Sequence, residues 1–346
     1  MKNMRWYFLV AIIGLMVTFP LSSANASSAD WPKAISIAAA RVGTVNYTLS
    51  AGMAELITKE MHIKAVPEPS SVGGKTLHLL NDKKVEFAVS ACDQAYDATR
   101  GIGLYKKYGK MNARLMWMGS ETPFAMVSHG DLGLRSVSEL RGKRIMGIYP
   151  GNMSFTLVMD LFLKAEGMTR KDVTDISFTG WRQGATAVQE KRVAAFIHPF
   201  PSEGMAGWIK QISMDFPVRM FGISEEKVDS LAKEYSFLKK TKLKAKYYGD
   251  ILYNQDLVTV GNIVSWFCRS DLPDDFVYAV MKTTFDNLDK LYPLHKFVRD
   301  YTDNPLAPFD VPMHPGVIKY WKEKGRWTQA LQQRQDRLLK ELGVSR

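Results

Sequence analysis

The stretch Ile35–Tyr47, ISIAAARVGTVNY, decides how the rest of the chain is read. Its first residues alternate apolar and small side chains in the manner of a buried strand. Gly43-Thr44 then interrupts, and Thr48–Met61 carries apolar residues at helical spacing. A strand that delivers the chain into a helix N-terminus leaves backbone N–H groups unpaired at the end of a sheet, with the helix dipole behind them. Such a turn suits an anion. The stretch is therefore read as one wall of a small-molecule site, with Arg41, Gly43, Thr44, Asn46 and Tyr47 as candidate contacts. The alternative is an ordinary βα connection.

Upstream, Met1–Ala26 has a basic start (Lys2, Arg5), an apolar run from Trp6 to Phe19 and small residues at Ala24-Asn25-Ala26. This is the pattern of a secretory signal peptide cleaved before Ser27. The run is shorter than the ~20 residues that a bilayer span needs. A soluble chain exported to the periplasm is expected. The sequence holds 46 Lys and Arg against 35 Asp and Glu, a formal net charge of +11, and loss of Lys2 and Arg5 takes it from +11 to +9. Cationic balance in an exported protein suits anionic small molecules or an acidic membrane surface. Nucleic acid is not expected of an exported chain. The densest basic patch, Lys239–Lys246 (KKTKLKAK), reads as a solvated face. The cysteines, Cys92 and Cys268, lie in or beside apolar strand-like segments and are expected as buried thiols, with a bridge between them as the alternative.

Downstream, strand and helix alternate at short spacing. His62–Glu68 and Val85–Ala91 read as strands and Thr76–Asn81 as a helix, and the second of these strands opens onto Cys92-Asp93 before a further helix through Tyr96. This argues a parallel sheet flanked by helices. A long extended run from Arg114 breaks the rhythm. The pattern then restarts with strand Lys143–Ile148, the loop Tyr149–Ser154 and a helix Phe155–Glu166, followed by strands Asp175–Phe178 and Val193–Ile197. A second long extended run, Val258–Arg269, leads to an amphipathic helix Asp275–Leu291 and a final helix Trp327–Leu342. Two extended segments joining two α/β lobes imply that the chain crosses over, folds the second lobe and crosses back. The lobes are assigned as residues 27–124 with 261–346, and residues 125–260, with a ligand cleft between them.

The loops that would face this cleft supply the remaining candidates: Ser71, Gly73 and Lys75; Cys92 and Asp93; Asn152, Ser154 and Phe155; and His198 at a strand's carboxyl end. Gly73-Gly74-Lys75-Thr76 looks like the end of a phosphate-binding P-loop, but Pro69 stands where that motif requires glycine. Gly-x-Ser-x-Gly does not occur, and the six histidines show no zinc spacing. No catalytic residue, metal or cofactor is implied.

With these residues in place, the chain resembles the TAXI family, the solute receptors of TRAP-type transporters. The first loop is similar to the family's Gly/Thr-rich turn, here Gly43–Thr48, and Ser71–Lys75 to its Ser-Gly-Gly turn. VSACDQAYDA at Val89–Ala98, the Gly-Lys-Arg strand and Pro-Gly-x-x-Ser loop within 142–154, DLPDDFVYAV at Asp271–Val280, and His314-Pro315-Gly316 before Lys319-Tyr320 follow in the family's order. The resemblance implies a type II-like bilobal periplasmic binding protein with two crossover strands. It would be a monomer that hands a small organic anion to a TRAP membrane permease. Alternatives are a ligand-sensing subunit of a signalling system and, from another class, a hydrolase on the same fold. Where this chain departs from the pattern, at Arg41, Asn46, Ala91 and His198–Pro201, the ligand is expected to differ. Arg41 and Lys75 favour a carboxylate, with an aromatic or apolar body against Tyr47, Phe155 or Phe200.

Overall fold

The computed structural model describes residues 30–70, 74–150 and 152–344. The expected leader Met1–Ala26, together with Ser71 and Gly73, lies outside the described residues. Strand β1 (Ala34–Ala38) leads through a turn into helix α1 (Val45–Met61), which Thr44 caps by accepting the Tyr47 N–H. Then come β2 (Lys64–Glu68), α2 (Gly74–Asn81), β3 (Phe87–Ala91) and α3 (Cys92–Arg100). β1 lies parallel to both other strands, with Ile35 opposite Ala65 and Ile37 opposite Phe87. α3 runs past Tyr96 and stops where Gly101 adopts φ 64°, a left-handed conformation that favours glycine.

The first crossover is β4 (Ala113–His129), 17 residues buried on both faces over most of its length. That is why it lacks the alternation of a strand with one wet face. The second lobe follows: β5 (Arg144–Ile148), α4 (Met153–Ala165), β6 (Thr174–Ser177), α5 (Trp181–Gln189), β7 (Ala195–Pro199), α6 (Gly207–Ile212), β8 (Val218–Phe221), α7 (Glu225–Glu234), β9 (Lys239–Leu243) and α8 (Ala245–Tyr248). β10 (Leu257–Arg269) returns the chain, and α9 (Asp274–Phe285), α10 (Leu288–Leu291), α11 (Pro315–Glu323) and α12 (Gln329–Leu342) complete it.

One expectation is extended here and another corrected. The basic run from Lys239 is solvated on one face and is also a strand. β9 pairs antiparallel with β10, its exposed Lys240 and Lys242 form ion pairs with Glu225, Asp229 and Asp256, and Leu243 turns into the core. Alternation of Lys with Thr and Leu is the mark of an edge strand, which charged side chains also guard against pairing with another chain. The helix Asp275–Leu291 is not continuous. It breaks at Asp286-Asn287, where the Asn287 side chain turns back to the Thr283 carbonyl and Asp286 is held by Lys282, Lys324 and Tyr320.

All ten strands belong to one sheet of order β2-β1-β3-β10-β4-β7-β5-β6, with β8 added on β4 and β9 on β10. Two apolar cores sit on it. One contains Ile37, Phe87, Trp117, Trp266 and Phe276 and draws on residues 35–118 and 263–338; the other contains Phe124, Phe162, Phe196 and Phe221 and draws on residues 124–260. Only β4 residues 119–123 and β10 residues 261–262 separate the two cores along the crossovers. Register slips between β4 and β10 on either side of Trp266, which stacks on Trp117 at 4.9 Å. Gly119 lies at this irregularity, and a side chain there would collide with the Val264 carbonyl oxygen. Cys92 and Cys268 are free and buried.

Candidate functional site

Between the two cores lies a cavity of about 230 Å³, lined by Ala40, Arg41, Thr44, Asn46, Tyr149, Asn152, Phe155, Gly180, Trp181, His198 and Pro199. Its first wall is the β1–α1 turn. Thr44 closes that turn, its N–H and hydroxyl both donating to the Arg41 carbonyl at 3.2 and 2.7 Å. Gly43 supplies φ 85° with open space around it, so its role is the bend. The first N–H groups of α1 are left without intrahelical acceptors at the cavity edge. Arg41 is exposed and reaches the other lobe, donating from Nη2 to the Tyr149 hydroxyl at 3.1 Å.

The opposite wall comes from the second lobe. Asn152 caps α4 by accepting the Ser154 N–H at 3.0 Å, and Gly180 precedes α5. Three helix N-termini, of α1, α4 and α5, thus reach one cavity whose described lining residues include Arg41 and no carboxylate. Their dipoles and unpaired N–H groups favour negative charge there. The floor is aromatic: Tyr149 stacks on Phe155 at 4.6 Å, and His198 meets Phe155 and Trp208 edge-on at 5.5 and 4.7 Å. Burial among these rings pushes the His198 imidazole down to about 4, against a weaker opposing pull from its bond to the Pro199 carbonyl, so the ring is neutral near pH 7.

Beneath this cavity the lobes are joined by a polar latch. Gln94 Nε2 donates to Asn152 Oδ1 at 2.9 Å and to Ser154 Oγ at 3.0 Å, and Ser154 Oγ donates to Asp93 Oδ1 at 3.0 Å. Asn262 on β10 donates to the same carboxylate oxygen at 3.3 Å. Burial raises the Asp93 carboxyl above its ordinary range, although the bonds from Ser154, from backbone N–H groups and from Asn262 oppose the rise.

Of the residues singled out from the sequence, Arg41, Thr44, Asn46, Asn152, Phe155 and His198 line the cavity together. Gly43 shapes the turn beside it. Tyr47 is half-buried in the first turn of α1 and Lys75 is exposed on α2; neither lines the cavity. Cys92, Asp93 and Ser154 also do not line it. α3 begins directly at Cys92 with no loop, which turns the Cys92 thiol into the core beside Ser265 Oγ at 3.2 Å, and burial pushes that thiol up to about 12. Asp93 and Ser154 are spent on each other in the latch. Phe200, offered as an aromatic contact, is buried beneath the floor. Ala40, Tyr149, Gly180, Trp181 and Pro199 complete the lining and were not singled out as contacts. For Gly180-Trp181 the available signal was a glycine between a strand and a helix, the same signal that marked Gly43. Among the described residues no group of three His, Cys, Asp or Glu could hold a metal ion, and no helix is long and apolar enough to cross a membrane.

Two α/β units joined by two crossover strands, with a cavity at the helix N-termini between them, make up the fold of the bilobal periplasmic binding proteins. XAC2383 from Xanthomonas citri, solved with a chloride ion, aligns over 88% of this chain and 100% of its own with a TM-score of 0.50 and 11% identity. The periplasmic aliphatic sulphonate binding protein SsuA from Escherichia coli aligns over 91% and 89%, with a TM-score of 0.46 and 11% identity. An ancestral arginine-binding protein bound to arginine aligns over 76% and 97%, with a TM-score of 0.43 and 13% identity. The chain belongs to the NMT1-like family, which matches residues 37–325.

Proposed function

We propose that this chain is a periplasmic solute receptor that captures a small organic anion, a carboxylate, between its lobes and delivers it to a membrane permease. One observation carries the reading: Arg41 and three helix N-termini meet at a cavity with no carboxylate among its described lining residues. A buried anion needs such donors to replace its hydration. The lobes, residues 27–124 with 261–346 and residues 125–260, close about β4 and β10, and contacts from both walls supply the extra affinity for the closed form that closure requires. The ordered TAXI-like motifs support a TRAP permease as the partner of a monomeric receptor, and the Met1–Ala26 pattern supports export.

A thermal-shift screen against carboxylates, sulfonates, neutral sugars and cationic solutes tests the reading. A ligand at a hundred times its Kd adds about 2.7 kcal/mol of stability. Stabilisation by a carboxylate above the other classes is the expected result. Stabilisation confined to neutral or cationic solutes overturns it.

A further inference from the structure

We infer that the anion taken by this cleft also carries a neutral hydrogen-bond donor, a hydroxyl group, that meets Nε2 of His198, so that the ligand is a hydroxy acid and not an amino acid. The inference rests on the anion-binding role proposed above and adds the ligand's second functional group.

Nδ1 of His198 lies 2.6 Å from the Pro199 carbonyl oxygen. A carbonyl oxygen only accepts, so Nδ1 holds the ring's proton. The ring is crowded by Phe155, Phe200 and Trp208 at 5.5, 5.7 and 4.7 Å, which disfavours a second proton. Nε2 is left with a lone pair, and no described residue donates to it. An acceptor left unmet in the cavity lining favours an occupant that brings a donor.

That donor is either an ammonium or a hydroxyl group. An ammonium group here would face Arg41 and the positive ends of three helices, with no carboxylate among the described lining residues to pair with. Removing an unpaired cation from water costs far more than removing a hydroxyl that keeps one hydrogen bond. The anionic head therefore goes to Arg41 and the helix N-termini, and a hydroxyl goes to His198.

Titration calorimetry with acids that share a skeleton and differ in one group tests this. The sets are lactate, alanine and propionate; malate, aspartate and succinate; and phenyllactate, phenylalanine and hydrocinnamate. In whichever set fits the cavity, the hydroxy acid binds about tenfold more tightly than its amino and unsubstituted counterparts. His198→Phe, which keeps the aromatic packing and removes the acceptor, brings the ratio of hydroxy to unsubstituted acid to about one. Equal or tighter binding of the amino or unsubstituted acid overturns the inference and leaves the anion reading standing. Binding by no acid in any set, with stabilisation confined to neutral or cationic solutes, overturns both.

Discussion

On one side of the Gln94–Ser154 contact, the space between the lobes is lined by Arg41, Asn46 and three helix N-termini; on the other it is lined by Asp93, Asp97 and Asp160. The two cavities are of similar size, about 230 and 260 Å³, and share a helix. α4 gives its N-terminal end, Asn152 and Phe155, to the first, and one flank, Met153, Thr156, Leu157 and Asp160, to the second. The contrast follows from helix geometry. The end of a helix offers N–H groups and positive potential, whereas its flank offers only what its side chains carry. In the acidic cavity burial lifts the Asp97 carboxyl to about 6, with the nearby charge of Asp93 adding to the rise. The linings thus favour negative charge on one side of the latch and not on the other.

The latch keeps the two environments apart, and breaking it is the strongest test of the comparison. Ser154 is fully buried, and its hydroxyl both donates to Asp93 and accepts from Gln94. Ser154→Ala leaves a buried carboxylate and a buried amide each short of a partner. Urea unfolding is expected to show a loss of about 2–3 kcal/mol. A loss below about 0.5 kcal/mol, the scale of an ordinary surface change, would mean that the lobes do not depend on this contact.

The next effect separates binding from stability. Arg41 is exposed and its interlobe contact is a single bond to Tyr149. Arg41→Ala is expected to weaken binding of the best carboxylate by about thirtyfold, the loss of one charge-assisted hydrogen bond. Unfolding of the ligand-free protein should change by no more than about 0.5 kcal/mol. Calorimetry beside a denaturation curve measures both, and comparable losses in the two would make Arg41 a structural residue.

How much of this was legible in the sequence depends on whether the determinants are local. The entry of β1 into α1 was legible because Gly43, Thr44 and the helical spacing act within one turn of the chain. The loop that carries Asn152 to the start of α4 was legible in the same way. The crossovers were legible from their length as extended runs. β8 and β9 were not singled out, because a strand of four or five residues takes its identity from the neighbour it pairs with, here β4 and β10. The site divided in the same way. Residues at helix N-termini could be found from turn chemistry, but Tyr149 reaches the cavity only because two lobes meet. Cys92 and Asp93 looked like loop residues since they follow a strand. The immediate start of α3 turns one into the core and the other into the latch, and a pattern that marks where a strand ends does not say which way the next side chains point.

The smallest expected effect is also the one that sets the two cavities against each other directly. His198 in the first cavity has its pKa lowered from 6.5 to about 4, and Asp97 in the second has its pKa raised from 3.8 to about 6. Between about 4 and 6.5 the unfolded chain holds the His198 proton and the folded chain does not. This group therefore makes stability rise with pH across that window. Between 3.8 and about 6 the folded chain holds the Asp97 proton and the unfolded chain does not, so stability falls as pH rises. The two contributions oppose each other in nearly the same range. Relative to the unaltered protein, Asp97→Asn is expected to steepen the gain in melting temperature from pH 4 to pH 6, and His198→Phe to flatten or reverse it. The double variant should return close to the original slope. Two single variants that shift the slope in the same direction would show that the cavities do not have the opposite electrostatics that their linings imply.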